Sequence, residues 1–214
     1  MSWAPEAARD LDRLLALVAA AVESANGGAP VVLIDGPSGA GKSSLADLLA
    51  SRWPGAGAQR VEHVRTVRMD DLYPGWDGLD SASAALGAEL LEPLATSGTG
   101  RWRRWDWARG RPAEWHVLTG TAPVLVEGCG TLAGANTRWA QLAIWLDADD
   151  RLRKERALDR DGETFAMHWD QWQSEFERYL AREDPRANAD LVLNVTDWPI
   201  ACAPRRASGT TVVP

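Results

Sequence analysis

The segment Gly36-Pro-Ser-Gly-Ala-Gly-Lys-Ser43 lies between an apolar run, Val31-Val-Leu-Ile-Asp35, and a helical pattern, Ser44-Leu-Ala-Asp-Leu-Leu-Ala50. Strand, glycine-rich turn, Gly-Lys-Ser and helix in direct succession constrain the chain more than any other stretch, and the order is that of a P-loop. Glycines let the backbone turn tightly and bring several N–H groups towards one point. The helix start adds unpaired donors and the positive end of a dipole. A concavity of this kind suits a phosphate chain. Gly36, Ser38, Gly39, Ala40, Gly41, Lys42, Ser43 and Ser44 are therefore the expected nucleotide-binding residues. Lys42 is one of only two lysines in the chain, and as a mobile point charge it suits the β- and γ-phosphates. Ser43 would offer its hydroxyl oxygen to Mg²⁺. The plain alternative is a glycine-rich turn with no ligand, and the flanking strand and helix speak against it.

At 214 residues the chain fits one α/β domain with a large core, here placed over residues 1–198, followed by a tail over 199–214. No apolar run approaches a membrane span, and the N-terminus lacks a basic region followed by an apolar one. A cytoplasmic protein with no membrane partner is the expectation. Cys129 and Cys202 are the only cysteines and stand far apart, and His63, His116 and His168 are scattered. Neither a disulfide framework nor a zinc site is indicated. The net charge of −7 argues against a nucleic-acid partner. Self-association into a homo-oligomer is left open.

Residues from about 5 to 24 read as an amphipathic helix, with Leu11, Leu14, Leu15, Val18 and Val22 at helical spacing. A second strand is expected from Val61 to Met69, ending on Asp70-Asp-Leu-Tyr73. In open α/β sheets ligands collect beyond the carboxyl ends of strands, which would set these carboxylates beside the P-loop. One could accept the proton of an attacking hydroxyl and the other hold Mg²⁺ through water. Equally, either could serve as a turn former. Ser81 or Ser83 could cap a helix through Leu86, Leu90, Leu91 and Leu94.

Arg101-Trp-Arg-Arg-Trp-Asp-Trp107 alternates as a strand or hairpin does. Its indoles and guanidinium groups could stack on a planar base and pair with an acceptor phosphate, Arg101, Arg103 and Arg104 being the candidates, or form an Arg-on-Trp ladder at a sheet surface. Thr121 to Gly128 is a short apolar strand that closes on Glu127, in the place where P-loop proteins keep an acid for the Mg²⁺ shell. Leu142 to Asp147 is another buried strand. From Asp149 to Arg160 an arginine-dense helix, ended by Asp161-Gly162 within a candidate lid over about 149–164, places Arg153, Arg156 and Arg160 on one face. That face is either salt-bridged and solvated or a lid over the phosphates. Thr164 to Arg182 reads as a long helix whose stripe of Phe165, Trp169, Trp172, Phe176 and Tyr179 is core. Ala189 to Val195 is the last strand, and the tail beyond it has no period.

Taken in order, these motifs resemble the uridine kinase family of nucleoside kinases over roughly residues 30–195. The likeness rests on Gly36 to Ser43, on Asp70-Asp-Leu-Tyr73, on Trp76-Asp77, on Trp105-Asp106-Trp107, on the segment from Arg151 to Asp161 and on Ala189-Asp-Leu-Val-Leu193. It implies a three-layer α/β P-loop fold with a mainly parallel sheet and an Arg-rich lid. It implies ATP and Mg²⁺ as cofactors and a small-molecule acceptor, a nucleoside phosphorylated on its 5′-hydroxyl. On this resemblance Asp70 is the general base, Tyr73 and Trp76 lie near the base and Asp77 meets the ribose hydroxyls. Trp105 and Asp106 lie near the pyrimidine, and Arg156 and Arg160 cover the transferred group. The family's His after Tyr-Asp-Phe is replaced by the Arg109-Gly110 region, and its Tyr by Trp105. Both changes fall on the acceptor side. A nucleoside monophosphate, another metabolite, or a nucleotide-binding switch with no acceptor are the competing readings.

Overall fold

The computed structural model describes residues 4–54 and 63–199. Helix α1 (Pro5–Ser24) packs through Ala7, Leu11, Leu14, Val18 and Ala21, and Pro5 suits its first turn because no N–H is needed there. Strand β1 (Val31–Asp35) is buried along its whole length. Helix α2 (Lys42–Ser51) follows the glycine-rich turn. Strand β2 (Arg65–Arg68) is shorter than the expected Val61–Met69, and Met69–Asp71 already forms a 3₁₀ turn; residues 61 and 62 of that expectation lie outside the described residues.

Helix α3 (Leu79–Ala85) leads into a π-helical turn (Leu86–Leu91) and then α4 (Glu92–Ser97). Pro93 cannot return a hydrogen bond to the preceding turn, which accounts for the locally expanded register. Neither serine caps α3. Ser81 Oγ donates to the Gly78 carbonyl (3.1 Å), and Ser83 Oγ reaches across to the Gly130 carbonyl (2.6 Å). Strands β3 (Thr99–Asp106) and β4 (Arg111–Thr119) form the antiparallel hairpin, with a bulge between Arg103 and Trp105.

Strand β5 (Val124–Glu127), the short helix α5 (Gly134–Thr137) and β6 (Leu142–Asp147) follow. Helix α6 (Asp150–Glu183) comes next, and β7 (Leu191–Asn194) is the last described strand. Asp149 caps α6 by accepting from the Leu152 N–H at 2.9 Å. The two helices expected on either side of Gly162 run on as this one, with a break at Gly162 (φ 67°, ψ −156°), a conformation that glycine alone adopts readily. The expected tail lies outside the described residues from 200 onwards.

The five core strands are parallel, in the order β2-β5-β1-β6-β7. Alternate residues of β1 serve opposite faces. Val31 and Leu33 join Val67, Val124 and Val126 against α3, the π turn and α6. Val32 and Ile34 join Leu125, Ile144 and Leu146 against α1 and α2. Two apolar faces on one sheet require helices on both sides, so the fold is a three-layer α/β sandwich. Among the described residues no helix is long and apolar enough to cross a membrane.

Candidate active site

Strand β1 occupies the centre of the sheet, and the chain passes from β2 and β5 on one side of it to β6 and β7 on the other. A crevice is expected at such a reversal, beyond the carboxyl ends of the strands. The loop after β1, the turn after β2 and the end of β5 meet there.

Close packing explains the glycines of the first loop. A Cβ on Gly36 would lie 2.4 Å from the Leu146 carbonyl oxygen, and one on Gly39 would lie 1.8 Å from that of Arg153. Gly41, at φ 93°, precedes α2 with no side chain capping the helix. Lys42 is buried and folds back on its own loop, donating to the carbonyls of Gly36 (2.7 Å) and Pro37 (3.0 Å), with Cys129 Sγ at 3.6 Å. Ser43 makes a side-chain hydrogen bond with Glu127. Glu127 is buried at the end of β5 and also accepts from Arg68 at 3.2 Å.

Burial raises the Glu127 carboxyl above its ordinary value, and the charge of Asp70 adds to this, while Lys42, Arg68 and Ser43 act in the opposite sense. A raised carboxyl in the folded state gives stability that is full below the unfolded value and is lost as pH rises through the folded one. Glu127→Gln is therefore expected to raise the melting temperature of the ligand-free protein at pH 7, by roughly 2–4 °C for each kcal/mol relieved. The gain over the parent should vanish as pH falls below the ordinary glutamate value of about 4.3, where Glu127 is protonated in the folded and the unfolded chain alike. Melting curves from pH 3.5 to 8 read this directly; an equal or lower value at pH 7 would show that the contacts of Glu127 outweigh its desolvation.

A cavity of about 300 Å³ opens over these groups. Its lining includes Ser38, Gly39, Gly41, Lys42, Ser43, Asp70 and Glu127. Tyr73, Trp76, Trp107, Phe165 and Trp172 give it an aromatic wall, and Arg160, Asp161 and Thr164 also line it. The rings are fixed to the phosphate-side elements by hydrogen bonds. Trp172 Nε1 donates to Ser38 Oγ (2.9 Å), Trp107 Nε1 to the Asp70 carbonyl (2.8 Å) and Tyr73 OH to the Cys129 carbonyl (2.8 Å). Trp76 stacks on Phe165 (5.5 Å, 19°) and His168 (4.7 Å, 14°), and Trp107 leans on it at 4.9 Å.

The structure thus brings Ser38, Gly39, Gly41, Lys42, Ser43, Asp70, Tyr73, Trp76, Glu127 and Arg160 to one cavity. Gly36 and Ala40 are buried in the loop, and Ser44 sits half-buried in the first turn of α2. The remaining expected residues stand elsewhere. Arg156 donates to the Thr196 carbonyl at 3.3 Å. Asp77 accepts from Gln171 Nε2 at 2.7 Å. Arg104 makes a two-point pair with Glu114 (2.5 and 3.1 Å) and, with Trp105, lines a separate cavity of about 230 Å³ behind Leu72 and Pro74. Asp106 binds Arg109 through its backbone N–H and its guanidinium, both at 3.0 Å. Arg101 and Arg103 lie over Trp115 on the outer face of the hairpin.

Sequence reading missed Trp172 and Phe165 as cavity walls, because an apolar helical stripe looks the same whether it meets core or ligand space. It also passed over Cys129 and Asp161. As to a metal, Ser43 and Glu127 supply hard oxygen donors that already touch each other, beside the carboxylate of Asp70. That donor set fits Mg²⁺ completed by phosphate and water oxygens. Among the described residues no group of three or more His, Cys, Asp or Glu forms a ready-made all-protein metal cage.

No protein-family model matches the chain, and no curated protein matches it. Solved structures do. A possible uridine kinase from Bacillus stearothermophilus aligns with a TM-score of 0.57 and 18% identity, over 85% of this chain and 99% of that one. A protein described as a candidate fructose transport system kinase, from Silicibacter sp. TM1040, aligns with a TM-score of 0.45 and 20% identity, over 78% of this chain and 90% of that one. The first of these likenesses establishes the fold, a P-loop α/β sandwich with a mainly parallel sheet.

Proposed function

We propose that this chain is an ATP- and Mg²⁺-dependent phosphotransferase acting on the hydroxyl of a small molecule, with a nucleoside 5′-hydroxyl as the first candidate. One observation carries the reading. A phosphate-binding loop, a Ser43–Glu127 oxygen pair and Asp70 line one cavity together with five aromatic side chains. A switch protein needs the loop and the metal, but not an aromatic wall beside a carboxylate.

The backbone N–H groups of the loop and of the start of α2 hold the β- and γ-phosphates. Lys42, which donates to the carbonyls of Gly36 and Pro37, exchanges them for phosphate oxygens when nucleotide binds. Mg²⁺, held by Ser43 and Glu127, would neutralise charge on those oxygens. Asp70 takes the proton of the acceptor hydroxyl as its oxygen bonds to the γ-phosphorus, and the bond to the β-γ bridging oxygen breaks with release of ADP. Arg160 borders the chamber and is positioned to meet the charge of the transferred group. The aromatic wall orients a flat or apolar acceptor and keeps water from competing with it.

The acceptor need not be uridine. Asp77 is engaged by Gln171, and Arg104 by Glu114, so the residues that would read a ribose or an acceptor phosphate stand outside the cavity. With neither reader at the cavity, the aromatic rings are left to select the acceptor, whether a nucleoside or another flat alcohol. Release of ADP from Mg·ATP, screened against nucleosides, nucleoside monophosphates and hydroxylated metabolites, tests the reading. Stimulation by an alcohol supports it. ATP binding with no stimulation across the panel supports the switch instead. Lys42→Ala is expected to weaken ATP binding at least about 100-fold, through loss of a charged contact to two phosphates. Calorimetric titration measures this, and unchanged affinity would remove the phosphate site from the loop.

A further inference from the structure

Strand β1 is apolar until its last residue, Asp35, which is fully buried. Its carboxylate collects four donors. Oδ1 accepts the Gly36 N–H at 2.7 Å. Oδ2 accepts the Leu132 N–H at 2.9 Å and the Tyr179 hydroxyl at 2.7 Å. The Gly130 N–H is shared between the two oxygens, at 3.3 and 3.1 Å. The three backbone N–H groups can only donate, so the group accepts from them whatever its charge; burial pushes its carboxyl up, and the bonds from Leu132, Tyr179 and Gly36 with the charge of Lys42 act in the opposite sense.

The donors belong to three separate segments, and each carries part of the cavity wall. Gly36 opens the phosphate loop, and its carbonyl receives both the Lys42 ammonium (2.7 Å) and the Cys129 thiol (3.3 Å). Gly130 and Leu132 continue the chain from Glu127, Gly128 and Cys129, which line the cavity. Tyr179 lies seven residues, and so about two turns, beyond Trp172 on the same face of α6. Trp172 in turn binds Ser38 in the loop. One carboxylate therefore fixes the loop, the end of β5 and the aromatic helix relative to one another.

We infer that Asp35, with Tyr179 as its partner, is a positioning residue that holds the phosphate loop against the β5 end and α6 in the geometry that binds nucleotide. The inference rests on the nucleotide reading of the loop. An amide at position 35 has one acceptor oxygen, so whichever way it turns, its NH₂ faces a donor, either that of Gly36 or those of Leu132 and Tyr179. Asp35→Asn is thus expected to weaken Mg·ATP binding by about 10-fold or more. Because so buried a change can also unfold the chain, Tyr179→Phe is the second variant. It removes one hydroxyl and no volume the core needs, and about threefold weaker binding is expected.

The experiment is calorimetric titration of Mg·ATP into the parent, Asp35→Asn, Tyr179→Phe and Lys42→Ala proteins. The indole N–H resonance of Trp172, assigned from a Trp172→Phe variant, is followed in each folded protein. Weaker binding by Tyr179→Phe together with a displaced Trp172 resonance supports the positioning role. A role confined to stability would lower the unfolding midpoint while affinity and resonance stayed at their parent values, and that result overturns the inference. If Lys42→Ala loses ATP and Tyr179→Phe does not, the positioning role alone falls. If Lys42→Ala binds as the parent does, the nucleotide reading falls first.

Discussion

Asp70→Asn is expected to reduce acceptor-dependent ADP release by about 10²–10⁴-fold, the span of general-base catalysis, while leaving Mg·ATP affinity within about threefold of the parent. The asymmetry follows from position. Asp70 borders the cavity on the 3₁₀ turn after β2, together with the phosphate-binding loop, and its backbone carbonyl is held in place by the Trp107 indole. Asparagine preserves the shape and the backbone contact but cannot take a proton. It also removes a negative charge beside the Ser43–Glu127 oxygens, so a slight fall in metal affinity is expected with it. The measurement is kcat and KM with the acceptor found in the screen, set beside calorimetric titration of nucleotide. Turnover at the parent rate would remove Asp70 from the proton-transfer role. Loss of ATP binding in step with turnover would make it a structural residue of the loop.

Gly39→Ala is expected to cost more than any other added methyl at the glycines whose surroundings are described. The added carbon would lie 1.8 Å from the Arg153 carbonyl oxygen, and the φ of 80° penalises any side chain as well. The conformational cost alone is about 1–2 kcal/mol. The contact is with backbone, so relief requires α6 to move away from the loop. A total loss of about 3 kcal/mol or more follows, which lowers the melting temperature by roughly 6–12 °C for a domain of this size. Gly110→Ala is the control: its φ is 60°, but nothing lies within 4 Å of the added carbon. Only the conformational cost of about 1–2 kcal/mol is expected there. If thermal melts show equal losses for the two variants, the close approach of loop and helix is not what position 39 protects.

Local patterns made much of this protein legible in its sequence. Gly36 to Ser43 between an apolar run and a helical one specifies strand, turn and helix, because glycine spacing and backbone N–H direction are properties of consecutive residues. The alternation of Arg101 to Trp107 specifies a hairpin, and the apolar runs at β5, β6 and β7 specify buried strands, because periodicity reports burial. Glycine 162 announces a break in α6 for the same local reason. From these follow the layer architecture and a place for Lys42, Ser43, Asp70 and Glu127 at one edge of the sheet.

Tertiary structure decided what lies opposite that edge. Phe165 and Trp172 have the spacing of a core stripe, and only the seating of α6 over the loop makes them walls of a cavity. Asp77 and Arg156 are charged side chains of the kind that binds ligands, but each has a partner far away in sequence, in Gln171 and Thr196, and long-range partners leave no periodic trace; Arg104 is taken by Glu114 across its own hairpin. Asp35 is the clearest case. In the sequence it is one acid ending one strand. In the fold its oxygens gather donors from Gly36, Gly130, Leu132 and Tyr179, because a buried carboxylate must be satisfied by whatever segments the topology brings to it.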